Sequence, residues 1–414
     1  MTLIETPSRI EPARIDAPEG ELLDLVADLA AKAEVLGRAL HPTTAANLAR
    51  LVRIMNTYYS NLIEGHNTRP REIEQALAGI METHDAARRN LQIEAAAHYR
   101  VQEAIDVQAR AGTLGDPAAL DFICGLHRAF YDGAGETMLI IGEGARAFRM
   151  EPGTWRYDPA HDVSVGRHVP PSSDRVAYFM AYFHRRFTFD PAPGERLLGV
   201  GEGRARRMLA LATAHHRFNY IHPFPDGNGR VSRLMSHAMA HRAGIGAHGL
   251  WSISRGLARG LEHGPGGRLE YRQYMAAADE PRQNDRDGRG NLSLSRLTDF
   301  TIWFLRICLD QIDYMSGLFD LDALGERLTR YVARSESLAP EAARLLQEAL
   351  IRGSFERGEA SRITGLPERT ARRVLKGLTD EGLLASETEK GAVSLRFPSH
   401  ILEALFPRLY PNMG

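Results

Sequence analysis

Cysteine is nearly absent from this sequence. Only Cys124 and Cys308 occur among its 414 residues. Two cysteines cannot build a disulfide framework, and since each lies among apolar neighbours we expect both to be small buried side chains. This scarcity favours a reducing, cytoplasmic location over a secreted one.

Long apolar runs and an excess of charge of one sign are missing as well. No run of about 18 apolar residues occurs, so we expect no membrane-spanning helix. Residues 1–20 have no apolar segment behind a basic start, which predicts that there is no signal peptide. The 51 basic and 52 acidic side chains give a formal net charge of -1. No overall field therefore draws the chain to nucleic acid or to an anionic membrane.

Most of the chain carries the apolar spacing of amphipathic helices. The composition, with 43% hydrophobic and 25% charged residues, is typical of globular proteins, and this length allows two or three domains. We predict an irregular arm over 1–20 and, because glycine and proline are frequent there, a loop region with a β-hairpin over 132–171. The predicted helices are 21–40, 43–64, 70–83, 88–110, 119–131, 173–188, 203–219, 229–243, 268–278, 294–317 and 320–334.

The C-terminal part has a different pattern. Residues 341–397 predict three helices and then two short strands joined at Glu389-Lys390-Gly391, with Pro367 starting the third helix. The predicted helices are 341–352, 359–365 and 367–380. This order resembles a winged helix, a helix-turn-helix type, and we expect it to be a separate domain over 336–414.

The third of these helices is basic on one side. Its basic residues, which suit the phosphates of a DNA groove, are Arg369, Arg372, Arg373 and Lys376. Nearby acids make the segment almost neutral, and they are Glu368, Asp380 and Glu381. The pattern is therefore compatible with DNA contact, with protein recognition and with homodimer formation.

Residues 222–233 read HPFPDGNGRVSR and carry the clearest chemistry in the chain. Gly227, Asn228 and Gly229 directly precede a predicted helix, where exposed N–H groups and the helix dipole form a site for anions. A phosphate group is the typical ligand of such a site.

Charged and titratable side chains flank this anion site. Arg230 and Arg233 share one helix face and can bind further phosphate oxygens. Asp226 adds a hard oxygen ligand of the kind that Mg²⁺ shares with phosphates. His222 can take up a proton near neutral pH. The segment therefore predicts a nucleotide site with a metal ligand and a base.

This segment resembles the Fic motif, H-x-F-x-(D/E)-G-N-G-R-x-x-R, at every fixed position. The resemblance implies a mainly α-helical Fic domain, which we place over 41–335 behind an arm and helix over 1–40. It also implies transfer of AMP from ATP, with Mg²⁺, to a Ser, Thr or Tyr hydroxyl of a protein.

The resemblance assigns a role to each motif residue. His222 would deprotonate the target hydroxyl, and Asp226 would hold Mg²⁺ between the α- and β-phosphates. The backbone of Gly227, Asn228 and Gly229 would bind the phosphates. Arg230 and Arg233 would hold the β and γ end of ATP.

Glu64 stands out on physical grounds. It lies in the last turn of the predicted helix 43–64, where the helix dipole disfavours an anion, so we expect a cationic partner. Residues Ser60 to Gly65 resemble the family's inhibitory motif, (S/T)-x-x-x-E-(G/N). The resemblance implies that Glu64 pairs with Arg233, displaces the γ-phosphate and inhibits the enzyme.

Two further segments resemble parts of the family. Residues 155–171 resemble the flap, a hairpin whose edge strand would bind an extended target peptide, and its tip residues Val165, Gly166, Arg167 and His168 would lie near the nucleotide. Asp279 stands where many relatives have an adenine-contacting Asn. That departure leaves the base contact and the choice of nucleotide open.

Other functions remain open at this point. The same site could remove AMP, with Glu64 positioning a water, or transfer another nucleotide. Alternatively, the chain could sense ATP without catalysis and regulate through DNA binding, although sensing needs neither His222 nor Asp226. His237 and His241 are four residues apart on a predicted helix, but Ala238 replaces the Glu of a zinc protease, and we interpret both as core or surface histidines.

Overall fold

The computed structural model describes residues 5–82, 84–195, 199–201, 203–261 and 266–410. The chain divides into two units. The first unit comprises Met1–Glu34, Asn56–Ala247 and Ser252–Gln311, and the second comprises Val35–Met55, His248–Trp251 and Ile312–Gly414. The predicted domain boundaries, after residues 40 and 335, divide the chain differently. In the structure, residues 35–55 cluster with the C-terminal residues.

The first unit is mainly helical. Its helices are α1 (Glu21–Val35), α3 (Pro70–Leu77), α4 (Ala86–Arg110), α5 (Leu120–Phe130), α6 (Glu136–Leu139), α7 (Val176–Phe187), α8 (Arg204–Ile221), α9 (Asn228–Arg242), α10 (Ile253–Arg259) and α11 (Gly267–Ala277). Two more helices, α2 (Pro42–Ile63) and α12 (Leu294–Leu318), have residues in both units.

Helices α8 and α9 form the centre of the first unit. Most residues of α9, and of α8 after its first turn, are buried, including polar residues that a one-sided amphipathic helix would expose. These polar residues are hydrogen-bonded, and His215 pairs across the two helices, through its Nδ1, with the Ser236 hydroxyl at 2.9 Å. The helix that follows the motif is thus held on all sides.

The N-terminal arm is built into the first unit. Over the described residues 5–20 it is irregular apart from a 3-10 helix at Pro7–Ile10, as predicted. Arg9 and Ile10 are nevertheless buried, and the buried Arg217 of α8 donates to the Pro12 carbonyl oxygen at 2.9 Å. The arm therefore packs against the central helix that leads to the motif.

The predicted hairpin over 155–171 is wrong in its extent. This segment contains a 3-10 helix at Pro159–His161 and one tight turn, in which Val165 and His168 exchange backbone hydrogen bonds of 2.9 and 3.0 Å. Gly166 takes a φ of 61° there, as the first central residue of a tight hairpin turn requires. Prolines at 159, 170 and 171 remove the N–H groups that longer strands would need.

A short hairpin forms earlier in the chain than predicted. Strand β1 (Ile140–Ile141) pairs antiparallel with β2 (Phe148–Arg149), with Ile140 opposite Arg149. The strands of this region therefore lie within 132–171 but before the segment 155–171 that resembles the flap.

The second unit is mainly helical as well. Its elements are α13 (Leu321–Arg334), α14 (Ala342–Arg352), α15 (Ala360–Thr364), α16 (Glu368–Asp380), β3 (Leu384–Ala385), β4 (Ser394–Leu395) and α17 (Leu402–Leu405). Strands β3 and β4 pair antiparallel, and Phe355 forms a further bridge with Val393. Helices α14, α15 and α16 and then a hairpin follow one another in the order that the sequence indicates.

The basic side of α16 is exposed. Arg369, Arg372, Arg373 and Lys376 are all on the surface. Two of these side chains pair within the helix, Arg372 with Glu368 at 3.5 Å and Lys376 with Asp380 at 2.7 Å. None of the described helices combines the length and the hydropathy needed to cross a bilayer.

Candidate active site

The side chain of Asn228 fixes the loop between α8 and α9, although only the backbone of this residue was expected to have a role, in phosphate binding. Asn228, the first residue of α9, accepts from the Phe224 N–H at 2.9 Å and donates to the Phe224 carbonyl oxygen at 2.7 Å. Both residues are buried. The amide side chain therefore closes a ring with the loop backbone and fixes the turn that exposes the start of α9.

Aromatic rings pack against Phe224 of the same loop. The buried Phe224 ring stacks on His127 at 3.8 Å between centroids and lies 4.6 Å from Trp155. His127 accepts from the Gly153 N–H through Nδ1, at 2.8 Å, so its Nε2 carries the hydrogen that reaches the Asp226 carbonyl oxygen at 3.2 Å. No pattern in the sequence marked His127 for this role.

His222 ends α8 in a left-handed backbone conformation, with a φ of 51°. Burial lowers the pKa of its imidazole to about 4, and the positive charge of Arg156 acts in the same direction. The ring is therefore neutral at pH 7 and has a lone pair that can accept a proton.

Arg156 supports this end of α8, although no local pattern marked it. The buried guanidinium donates to the carbonyl oxygens of His222 at 2.7 Å, Ile221 at 3.1 Å and Pro171 at 2.5 Å. The bonds to His222 and Ile221 tie the segment 155–171 to the end of α8, and the bond to Pro171 lies within the segment. Arg156 thus fixes the position of His222 through its backbone.

Asp226 is an ionised, half-exposed carboxylate. Its Oδ2 accepts from the Tyr131 hydroxyl at 2.6 Å and from Arg230 Nη2 at 2.9 Å, while 45% of the side chain is exposed. Burial raises the pKa of Asp226, but the charge of Arg230 and the hydrogen bonds from Tyr131 and the Gly227 N–H outweigh it and hold the pKa below its usual range. Such a carboxylate beside a helix N-terminus fits the ligand preference of Mg²⁺.

Arg230 is engaged by two carboxylates. Besides Asp226, it donates to Glu94 Oε2 at 2.8 Å through Nη1. Its guanidinium also lies over the Phe130 ring, 4.9 Å from the centroid. The sequence predicts Arg230 as a phosphate ligand, whereas here it orients Asp226, with Glu94 as a partner that the sequence did not reveal.

The structure brings Ser60, Glu64 and Arg233 together. Arg233 is 1% exposed and donates to Glu64 Oε1 at 2.6 Å, to the Ser60 hydroxyl at 2.9 Å and to the Ser60 carbonyl oxygen at 3.1 Å. Burial raises the pKa of Glu64, but the charges of Arg233 and Arg230 outweigh it and hold the pKa below its usual range. Glu64 is therefore an anion at neutral pH.

The carboxylate of Glu64 lies directly over the first turn of α9. A Cβ atom built on Gly229 would be 2.3 Å from Glu64 Oε1. The dipole of α9 and its first N–H groups favour a negative charge at this place. Glu64 thus occupies the space in which the sequence predicts phosphate.

Asp279 bridges two histidines. Its Oδ1 lies 3.2 Å from His216 Nε2 and its Oδ2 lies 3.4 Å from His168 Nδ1. Burial raises the pKa of Asp279, but the hydrogen bond from His216 and the nearby charge of Arg217 lower it, and the pKa lies below its usual range. The sequence singles out Asp279 for a base contact, and here its carboxylate fixes His168, whose Nε2 is 2.8 Å from the Tyr220 carbonyl oxygen.

The other predicted tip residues are on the surface. Val165, Gly166 and Arg167 are exposed. Because their turn ends at His168, which interacts electrostatically with His222, the tip lies on the same side of the unit as the motif. Their contact with a nucleotide stays a prediction.

One family model matches the central part of the chain. Residues 117–240 match the model of the Fic/DOC family. The matched range includes the motif and the segment 155–171, but not Ser60 or Glu64.

Curated relatives match over a short stretch. The protein adenylyltransferase Fic of Drosophila ananassae is 34% identical over 84 residues, which are 20% of this chain and 15% of that protein. The protein of the same name from Aedes aegypti is 34% identical over 88 residues, 20% of this chain and 14% of that protein. The chain thus matches only a small part of the length of these relatives.

Solved structures were compared as well. A Fic family protein from Desulfovibrio desulfuricans is 16% identical with a TM-score of 0.49, over 92% of this chain and 98% of that chain. A Fic domain containing signaling protein from Bacteroides thetaiotaomicron is 19% identical with a TM-score of 0.48, over 71% of this chain and 96% of that chain.

Proposed function

We propose that the protein transfers AMP from ATP to a Ser, Thr or Tyr hydroxyl of a protein, with Glu64 as a built-in inhibitor, and the match of residues 117–240 to the Fic/DOC family model supports this reaction. One observation carries the proposal. A neutral imidazole, an ionised carboxylate and a buried guanidinium surround the N-terminus of α9, at His222, Asp226 and Arg233.

His222 supplies the base. Its lowered pKa keeps the imidazole neutral at pH 7, so it can take the proton of the target hydroxyl. The hydroxyl oxygen then forms a bond to the α-phosphorus of ATP, the bond from that phosphorus to the bridging oxygen breaks, and pyrophosphate leaves. General-base help of this kind contributes about 10²–10⁴-fold to a rate.

The start of α9 supplies the phosphate site. The N–H groups of its first turn and the helix dipole stabilise negative charge without any side chain. Asp226 is the residue that would hold Mg²⁺, and the ion would supply positive charge to the phosphates. Positioning and charge neutralisation, rather than covalent chemistry, then supply most of the rate.

Glu64 competes with the γ-phosphate in this scheme. Its carboxylate already holds Arg233 and lies within 2.3 Å of the Cβ position of Gly229. A phosphate brought to the same place would meet a negative charge at contact distance and would lose Arg233 as a partner. ATP therefore binds with its phosphates displaced until Glu64 moves away.

Glu64→Gly tests both parts of the proposal. With labelled ATP and Mg²⁺ we expect labelling of the protein itself, or of proteins in a lysate, to rise at least about ten-fold over wild type, the change that ~1.4 kcal/mol of lost competition gives. Mass spectrometry should find the added group as 5′-AMP on a hydroxyl side chain.

Matched variants separate the inhibitor from a general charge effect. Glu64→Gln removes the charge at nearly constant volume and should activate as well. Glu136→Gln breaks another Arg–Glu pair, an exposed one 3.0 Å long with Arg149, and should leave the activity at the wild-type level. Equal activity of wild type and Glu64→Gly would contradict inhibition, and transfer of a group other than AMP would contradict the proposed reaction.

A further inference from the structure

A second cluster of metal-ligating side chains lies further along α9. His237 and His241 of this helix meet Asp106 of α4, and one ligand atom from each of the three lies within 4.8 Å of the others. Asp106 Oδ1 is 2.7 Å from His237 Nε2 and 2.9 Å from His241 Nε2, and the two Nε2 atoms are 3.3 Å apart.

The helix geometry explains how the two imidazoles converge. Residues four apart lie on one face of a helix, one turn above the other. Asp106 approaches this face from α4, although it is 131 residues away from His237 in the sequence. The sequence pattern alone supports core histidines, because it gives no sign of the third ligand.

The cluster is closed to solvent. The Asp106 side chain is fully buried, and the His237 and His241 side chains are 6% and 8% exposed. A buried carboxylate is costly unless positive charge accompanies it. A divalent cation between the three ligands would supply that charge.

The distances suit a small transition-metal ion. Zinc takes histidine nitrogen and carboxylate oxygen ligands at about 2.0–2.2 Å, and three atoms separated as these are can all touch one such ion. Imidazole and carboxylate donors together favour zinc and its neighbours over the harder Mg²⁺ and Ca²⁺.

We propose that Asp106, His237 and His241 bind one divalent transition-metal ion of the zinc class, with water as the fourth ligand. The ion joins α4 to α9 and is structural. His237 is eight residues beyond Gly229, about 12 Å along the helix, so the ion is distinct from the magnesium that Asp226 would hold. This proposal does not depend on the proposed function.

Cobalt provides the direct test. Protein purified without a histidine tag is freed of metal with a chelator, dialysed and titrated with Co²⁺. We expect one equivalent to bind with the visible absorption of four-coordinate cobalt, Zn²⁺ to displace it, and the Tm to rise with either ion. Failure of the wild-type protein to bind Co²⁺ and Zn²⁺ would overturn the proposal.

Variants assign the site. Asp106→Asn and His237→Gln should each lower the affinity for Co²⁺ at least ten-fold, the loss expected when one ligand is removed. His215→Gln is the matched control, since His215 is also buried and hydrogen-bonded, on the neighbouring helix α8, and it should bind Co²⁺ as wild type does. Unchanged affinity in folded Asp106→Asn and His237→Gln would overturn the proposal.

A measurement on the wild-type protein covers the case in which these variants do not fold. X-ray absorption of the zinc-loaded protein should show nitrogen and oxygen ligands with the scattering of two imidazoles. Sulfur ligands, or fewer than two imidazoles, would place the ion elsewhere and overturn the assignment.

Discussion

A single residue, His222, combines a left-handed backbone conformation with a strongly lowered pKa. Its φ of 51° lies in a region that costs most residues other than glycine about 1–3 kcal/mol. The hydrogen bond from Arg156 to its carbonyl oxygen, at 2.7 Å, is one of the contacts that hold this conformation. The turn directs the chain out of α8 at the residue whose ring is kept neutral by burial.

His222→Ala tests that residue as the base. In a Glu64→Gly background we expect the rate of AMP transfer to fall about 10²–10⁴-fold, because proton removal from the target is lost. The affinity for Mg²⁺–ATP, measured by calorimetry, should stay within about two-fold because the phosphate site lies on α9. His84→Ala changes an exposed histidine and should leave both quantities unchanged. A similar rate loss in the control, or full activity of His222→Ala, would exclude the assignment.

At the scale of elements, the junction of α8 and α9 is fixed by side chains rather than by packing alone. The Asn228 amide makes two hydrogen bonds to the backbone of Phe224, 2.9 and 2.7 Å long, in a buried loop. Both bonds end on backbone groups that have no access to water when the side chain is removed. The motif asparagine is therefore a stabilising residue of the loop.

Asn228→Ala should destabilise the fold. It leaves a buried N–H and a buried C=O group without their partner, which costs about 1–3 kcal/mol for each group, so we expect the free energy of unfolding in urea to fall by about 2–4 kcal/mol. Asn90→Ala removes one long hydrogen bond of 3.4 Å near the surface, and its effect should stay within about 0.5 kcal/mol. Equal stability of the two variants would contradict the role of the clamp.

The positions of the helices follow from the sequence because apolar periodicity is a local signal. The helix predicted at 43–64 spans Pro42–Ile63, and the one predicted at 229–243 spans Asn228–Arg242. The extent of the hairpin in the segment 155–171 was predicted wrongly, because the prolines at 159, 170 and 171 remove the N–H groups that strand pairing needs. Short elements such as α6 and α10 give too few turns for a period to show.

The motif residues were predictable, but their supports were not. The partner of Asp226 is Tyr131, which is 95 residues away, and the partner of the His222 backbone is Arg156, 66 residues away. No local pattern encodes such pairs, since only the tertiary fold brings them together. Ser60 and Glu64 are the exception, because a short motif marked them before their contact with Arg233 could be seen.

At the scale of the whole molecule, the first unit keeps several histidines neutral in its interior. Burial lowers the pKa of His98 and of His215 to about 3, and that of His127 to about 4. His222 has a pKa of about 4 and His216 is shifted in the same direction, each because of burial. In the unfolded chain all of them titrate near pH 6.5.

Stability should therefore decrease as the pH falls from about 6.5 to about 4. In this window the unfolded chain binds protons that the folded protein does not, so the free energy of unfolding rises with pH. We expect a slope of at least about 1.4 kcal/mol per pH unit near pH 5, the value for one proton. Urea denaturation at several pH values measures it. His127→Gln should lower the slope, and a flat profile between pH 6.5 and 4 would contradict the expectation.

Gly229 has no Cβ atom, and this leaves the space that the Glu64 carboxylate occupies. In the proposed reaction the nucleotide phosphates need the same space. The Glu64 carboxylate and a correctly bound nucleotide therefore exclude each other there. A larger residue at 229 would leave room for neither the Glu64 carboxylate nor the nucleotide phosphates. Substitutions that make the proposed enzyme permanently active are therefore expected in α2 or at Glu64, just beyond the end of α2. They leave the motif unchanged.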